Sequence, residues 1–501
     1  MSSLRAIKFP TALTVLLIIA GVVALLTYII PAGKYDRLTY NSDSNTFTQE
    51  KKSETLVLPA TQETLEHFDI KIPIEKFTNG DIWKPIGIPN TYHTLDAQPQ
   101  GVMAFIQSPI KGIMEAIDVI LFVLIIGGFI GIMNFSGAFE AGISSLAKSL
   151  QGREYILIIV ITFLIAIGGT TFGLAEETIA FYPILIPVFL AAKYDAMVAL
   201  ASIYVGSCIG TLASTVNPFC TIIASDAAGI NWTTGLTTRL IVFVLGLIIC
   251  LIYIIRYAQR VKNNPSKSII FDQKQDIEVR FPLTNLDTAT TLTTKYKLIL
   301  IVFSLCFVVM IYGVSQLDWW FLEMTTVFLV GAILIGVIAR IKEATFVDTF
   351  IKGANDLLGV AFIIGIARGV TVLMEDGLIS DSLLFYASSL TEGMNKGVFI
   401  NAMLYIYSGL SFFIPSSSGM AVLTMPIMAP LADGVGIGRD LVVNAYQFGM
   451  GLFALINPTG LILASLAIVK IGFDKWLRFV MPLVGILLIF IMIVLTISVY
   501  I

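Results

Sequence analysis

Asn-Pro occurs twice inside long apolar stretches, at Asn217-Pro218 and Asn457-Pro458. Proline removes a backbone donor and clashes with the preceding turn, so a helix breaks at each site. Irregular backbone at membrane depth is tolerated only where it is buried in protein or lines a wet cavity. The N-terminus of the half-helix beyond the break offers unpaired N–H groups that favour an anionic group. One such proline reads most simply as a kink. Two, each flanked by hydroxyls (Ser214 and Thr215; Thr459) at matching places, read as a site.

The matching places come from an internal repeat. Phe105-Ile-Gln-Ser-Pro-Ile-Lys-Gly112 aligns with Phe346-Val-Asp-Thr-Phe-Ile-Lys-Gly353. In the same order, Gly137 aligns with Gly377, Pro183-Ile-Leu-Ile-Pro187 with Pro426-Ile-Met-Ala-Pro430, and the first Asn-Pro with the second. Repeats with broken helices at corresponding positions are the recurring plan of secondary transporters, whose site lies near the bilayer midplane between the halves.

Composition sets the medium. The 501 residues are 56% hydrophobic and 13% charged, with a mean hydropathy of +0.88, against about a quarter charged in soluble chains. The expected fold is an all-α polytopic membrane protein in the lipid bilayer. His67 and His93 are the only histidines and both fall in one hydrophilic stretch, which removes a histidine relay, a zinc site or a Ser-His-Asp hydrolase. No G-x-x-x-x-G-K-[ST] occurs, so the chain itself has no P-loop to couple ATP. Cys208, Cys220, Cys250 and Cys306 sit in apolar stretches as small fillers. Neither an enzyme nor a nucleic-acid partner is expected, and no metal or organic cofactor.

Hydropathy divides the chain into a first span (1–30, preceded by Arg5 and Lys8), an extracytoplasmic region with short strands (31–100), repeat 1 (101–258), a cytoplasmic linker (259–295), a connecting span (296–319) and repeat 2 (320–501). Two regions, 154–191 and 397–432, are broken midway into apolar halves of about 12 to 16 residues, short of the roughly 20 a span needs. They read as re-entrant hairpins. Broken helices are expected at 194–226 and 440–471. Nine full spans and two hairpins put 19 of the 31 Lys and Arg in inside segments, against Arg239, Lys396 and Arg439 in short outside loops. That bias places the N-terminus in the cytoplasm and the C-terminus outside. The two repeats then run in inverted topology.

The hairpin tips are Gly168-Gly-Thr-Thr-Phe-Gly173 and Ser411-Phe-Phe-Ile-Pro-Ser-Ser-Ser-Gly419. Gly169, Thr170, Thr171 and Gly173 in the first, and Ser416, Ser417 and Ser418 in the second, offer close backbone approach and hydroxyls that replace hydration. Close helix packing through small residues is the plainer alternative. With Ser214, Thr215, Asn217, Asn457 and Thr459 they form the expected substrate or ion site, and Pro218 and Pro458 are the helix breakers. Glu176 and Glu177 follow the first tip, and intramembrane carboxylates are costly and usually functional. Adjacent helical residues point about 100° apart, so one acid faces the site. Their repeat counterparts are Gly419 and Met420, so the acids set specificity or coupling. Arg368, inside a span, is either a counter-charge to one of those acids or a contact for a substrate carboxylate. Arg239 and Arg478 read as interfacial anchors.

At Phe172-Gly-Leu-Ala-Glu-Glu-Thr-Ile-Ala-Phe181, Asn217-Pro-Phe-Cys220 and Ser416-Ser-Ser-Gly-Met-Ala-Val-Leu-Thr-Met-Pro426 the sequence resembles the YfcC-type carriers. These sit beside the anaerobic C4-dicarboxylate carriers in the wider ion transporter superfamily, and the likeness covers essentially the whole chain. The second Asn-Pro is followed by Thr459-Gly460, not Phe-Cys. The resemblance implies exchange of basic amino acids of the arginine/ornithine type, with the acid pair matching a motif of such exchangers. It also implies a homodimer in a bacterial inner membrane, whose hairpin-bearing domain moves in an elevator-like way. The rival within transport is a carboxylate carrier in which Arg368 is the ligand and the acids bind coupling Na⁺ or H⁺. A channel and an intramembrane enzyme are the remaining classes.

Overall fold

The computed structural model describes residues 10–51, 54–80, 82, 84–149, 153–281, 292–317, 319–391 and 393–501. Arg5 and Lys8, and 282–291 of the linker, lie outside them. The chain is a multi-pass membrane protein: among the described residues, eight helices are long and apolar enough to cross a bilayer.

The first helix, α1 (Ala12–Leu26), has 15 residues, shorter than the expected span. Thr27 closes it by donating its hydroxyl to the Ala24 carbonyl (2.6 Å), ahead of Pro31. An outer pad follows. Its strands are β1 (Gly33–Lys34), β2 (Arg37–Asn41), β3 (Thr46–Glu50), β4 (Thr55–Pro59), β5 (Ile86–Gly87) and β6 (His93–Thr94), with α2 (Gln62–His67) and α3 (Glu75–Thr78) between β4 and β5. The antiparallel order is β4-β3-β2-β5, while β1 pairs with β6. Leu38, Phe47, Phe77 and Ile86 form its buried centre.

The first half comprises α4 (Val102–Glu115), α5 (Ile117–Phe135), α6 (Ala138–Ser149), α7 (Tyr155–Phe172), α8 (Tyr182–Ala191), α9 (Ala196–Leu212), α10 (Ile223–Ala227) and α11 (Leu236–Asn263). Then come α12 (Lys274–Arg280) and α13 (Thr294–Gln316). The second half comprises α14 (Phe321–Ala339), α15 (Glu343–Asp356), α16 (Leu358–Asp376), α17 (Ser380–Ser389), α18 (Lys396–Phe413), α19 (Ser417–Val435), α20 (Arg439–Ala454), α21 (Ile462–Val469) and α22 (Phe473–Tyr500).

The repeated Phe-x₄-Ile-Lys-Gly motif ends in a glycine that does the same packing in both copies. Helix α4 lies on α16 and α15 lies on α5. A Cβ at Gly112 would stand 2.2 Å from the Gly365 carbonyl oxygen, and one at Gly353 would stand 2.3 Å from that of Gly127. Without a hydrophobic drive between helices in lipid, such backbone-to-backbone packing is how they associate. Likewise α7 lies along α9 and α18 along α20.

Two length expectations change. Helix α7 runs 18 residues, and α18 and α19 run 18 and 19, all longer than the halves read from sequence. The small and hydroxyl residues taken as the first tip remain helical: Thr171 donates its hydroxyl back to the Ile167 carbonyl (2.7 Å). Pro426 and Pro430 are accommodated inside α19.

The pad is tied to the helices by ion pairs. Lys76 meets Asp226 of α10 (3.1 Å), Lys71 meets Asp433 of α19 (3.2 Å), and Arg37 meets Asp381 of α17 (3.2 Å). The carboxylates of Asp226 and Asp381 are almost fully buried.

Candidate functional site

Both Asn-Pro helices break, and the freed backbone groups find partners. Helix α9 stops at Leu212 and the chain resumes in a wide turn at Pro218–Ile222. Thr170 donates its hydroxyl to the Ala213 carbonyl (2.8 Å), and Thr221 donates to the Ser214 carbonyl (3.0 Å) and hydroxyl (2.5 Å). The Thr215 N–H donates to the Thr170 hydroxyl (3.0 Å). Asn217 is buried and spans the gap. Its Nδ2 donates to the Gly169 carbonyl (3.3 Å) and its Oδ1 accepts from the Phe219 N–H (2.8 Å). Gly173, at φ +78°, closes α7, and a Cβ there would meet the Asn217 side chain at 2.8 Å. Both the left-handed backbone and the lack of space demand glycine.

The second half repeats the device. Helix α20 stops at Ala454 and α21 starts at Ile462. Asn457 Nδ2 donates to the Ser411 carbonyl (2.9 Å), and its Oδ1 accepts from the Thr459 N–H (3.1 Å) and hydroxyl (2.8 Å). Thr459 also reaches the Phe412 carbonyl (2.8 Å). Carbonyls released at the end of α20 are taken by Tyr204 (hydroxyl to Ala454, 2.8 Å) and Trp476 (Nε1 to Leu455, 2.8 Å). Each asparagine therefore holds the end of the helix that leads into its own tip, Gly169 in one half and Ser411 in the other.

The serines stand one turn further on. Ser416 caps α19 by accepting the Gly419 N–H (3.2 Å). The Ser417 carbonyl accepts from the Tyr446 hydroxyl (2.8 Å). That same hydroxyl is 3.7 Å from the Cys220 thiol, and neighbouring Gln447 donates to the Thr221 hydroxyl (2.8 Å). Helix α20 thus joins the turn after the first Asn-Pro to the second tip.

Glu176 and Glu177 begin a 3₁₀ turn, Glu176–Phe181, that packs on α5, α8 and α9. Both are partly exposed, and Glu177 Oε2 accepts the Ala175 N–H (3.1 Å). Asp118, at the start of α5, lies close enough for its charge to act on Glu176.

Two arginines depart from expectation. Arg368 pairs with Glu115 of α4 (Nε to Oε2, 2.9 Å), not with Glu176 or Glu177, because α16 packs on α4 while the acid pair sits against α5. Arg239 is fully buried, not an interfacial anchor; its guanidinium donates to the Trp232 carbonyl and to Asn444 Oδ1.

Sequence reasoning found no chemistry in residues 31–100. The structure brings one of them to the second tip: Lys84 Nζ donates to Ser418 Oγ (3.0 Å). Burial and the charge of Arg368 hold the Lys84 ammonium below the usual lysine range. Tyr446, Gln447 and Thr221 were missed as well. The polar residues of Asn444-Ala-Tyr-Gln447 inside an apolar run were the signal available for the first two.

The family model described as C4-dicarboxylate anaerobic carrier (DcuC) matches residues 9–500. A protein of Haemophilus influenzae described as uncharacterized is 42% identical over 501 residues, covering 99% of this chain and 98% of its own length. The "Putative basic amino acid antiporter YfcC" of Escherichia coli is 30% identical over 512 residues, covering 97% and 95%. Among solved structures, MtrF of Neisseria gonorrhoeae aligns over 99% of this chain and 96% of its own at a TM-score of 0.40 and 14% identity. With a family model spanning nearly every residue and a relative of that identity over nearly the full length, the chain belongs to the DcuC family of membrane transporters.

Proposed function

We propose that the chain is a secondary transporter or exchanger of small charged organic solutes, working by alternating access in a bacterial inner membrane. The observation that carries this reading is the paired cradle, in which Asn217 and Asn457 each hold the tip of their own half across a broken helix. Two halves of inverted topology, each with a re-entrant hairpin, would present those tips to one shared site, and elevator-like movement within a homodimer fits that plan. The N-terminus would then be cytoplasmic and the C-terminus outside. Site residues are Gly169, Thr170, Gly173, Thr215, Asn217, Ser416, Ser418, Asn457 and Thr459, with Glu177 or Glu176 neutralising a cationic side chain or binding a coupling H⁺ or Na⁺. Basic amino acids are the specific substrate class, supported by the acid pair and by the name of the Escherichia coli relative.

The test is counterflow into proteoliposomes loaded with ornithine. Labelled arginine accumulates if the reading holds, and excess arginine but not succinate competes. Accumulation of neither arginine nor any carboxylate overturns it. A carboxylate carrier is the second reading, favoured by the family description and by Arg368. Competition by succinate in the same assay selects it.

A further inference from the structure

The strand β5 seats on α19: a Cβ at Gly87 would meet Ile427 Cδ1 at 3.4 Å and the Leu423 carbonyl at 3.5 Å. That seating carries Lys84, two residues earlier, over the first turn of the helix. There its ammonium donates to Ser418, the second residue of α19. A helix N-terminus carries positive potential and disfavours a cation. Arg368 adds a second like charge near enough to repel Lys84. Three sources of positive potential therefore converge on one hydroxyl-lined corner. Arg368 is committed to Glu115, but both side chains of that pair keep more than a third of their surface exposed, 36% and 39%, so an arriving ligand can reach them.

An arrangement that crowds like charges is relieved by an anion. We propose that Lys84, supplied by the outer pad, is a specificity residue that reads the carboxylate of the transported solute at the second tip, together with Ser418 and Arg368. This deepens the transport reading and rests on it. For a basic amino acid it orients the molecule: carboxylate toward Ser418 and Lys84, cationic end toward the acid pair of the first tip. A lysine that merely pins the pad to α19 would affect stability but not the choice of solute.

The experiment uses full-length protein in proteoliposomes and solutes differing only in one carboxylate: arginine against argininamide, and succinate against succinamate. For the transported pair, Lys84→Met raises KM for the carboxylate member by about 10-fold while the amide member shifts less than about 2-fold, as befits loss of a charge-assisted contact. Lys84→Arg restores most of the preference. Equal changes for both members, or none, overturn the inference and leave the transporter reading standing. No exchange of any of the four solutes by the unsubstituted protein overturns both. A melting curve for Lys84→Met confirms a folded protein, and Ser418→Ala, which keeps the lysine, lowers the same preference if the variant fails to fold.

Discussion

The two tips are held alike and finished differently. In each half an asparagine of the broken helix bonds a backbone carbonyl at the end of the preceding helix, Gly169 or Ser411. Beyond that point the copies part. The first tip ends on Gly173 in a left-handed conformation and continues as a 3₁₀ turn headed by Glu176 and Glu177. The second leaves α18 through Ile414 and enters α19 at once, with Ser416 as its cap and a lysine from outside over its first turn. The scaffold is duplicated and the charge is not. Acidic groups flank one tip and basic groups the other, a polarity suited to a solute with two unlike ends.

The sharpest challenge to the shared device is Asn217→Ala beside Asn457→Ala. Each removes at least two buried hydrogen bonds, so each destabilises by about 2 to 4 kcal/mol and abolishes exchange. Melting temperature and flux, measured together, separate the halves if only one variant fails. Next comes the acid pair. Glu177→Gln abolishes arginine counterflow with the melting temperature within about 2 °C of the unsubstituted protein, because a structural role would move stability by more than that. Unchanged counterflow removes the assigned role. A smaller effect contrasts the glycines. Gly173→Ala destabilises by about 1 to 2 kcal/mol for the left-handed backbone alone, with the Asn217 contact adding to it. Gly419→Ala, helical and facing only the Ser416 side chain, changes stability by no more than about 1 kcal/mol. Equal losses at both would mean the tips are built alike after all. The smallest effect concerns pH. The ammonium of Lys84 is held below the model value of 10.5 in the folded chain, so the unfolded chain binds more protons as pH rises toward that value. Stability therefore rises through that window. Lys84→Met flattens the rise in thermal melts.

The positions of the breaks were legible because proline acts locally: Pro218 and Pro458 end their helices whatever surrounds them. The repeat was legible too, and Gly112 and Gly353 turned out to do the same packing. The lengths of α7 and α19 were not, since a glycine-threonine run reads as a break in hydropathy although its backbone bonds continue. Nor could the partner of Arg368 be read, because Glu115 is 253 residues away in sequence and only the stacking of α4 on α16 joins them. Lys84 was hidden for the same reason. A lone lysine in a polar loop has no pattern until the fold seats its strand.

The outer sheet has a mechanical consequence. It is fastened to α10 and α19 through Asp226 and Asp433 and to α17 through Asp381. Separating a cation from a buried carboxylate costs about 3 to 5 kcal/mol, two to four decades in rate. Any stroke that slid the second tip past α17 would have to tear one side of this hasp. The low-barrier stroke is one in which sheet, α10, α17 and α19 travel as a single piece, which places the sliding seam elsewhere in the molecule.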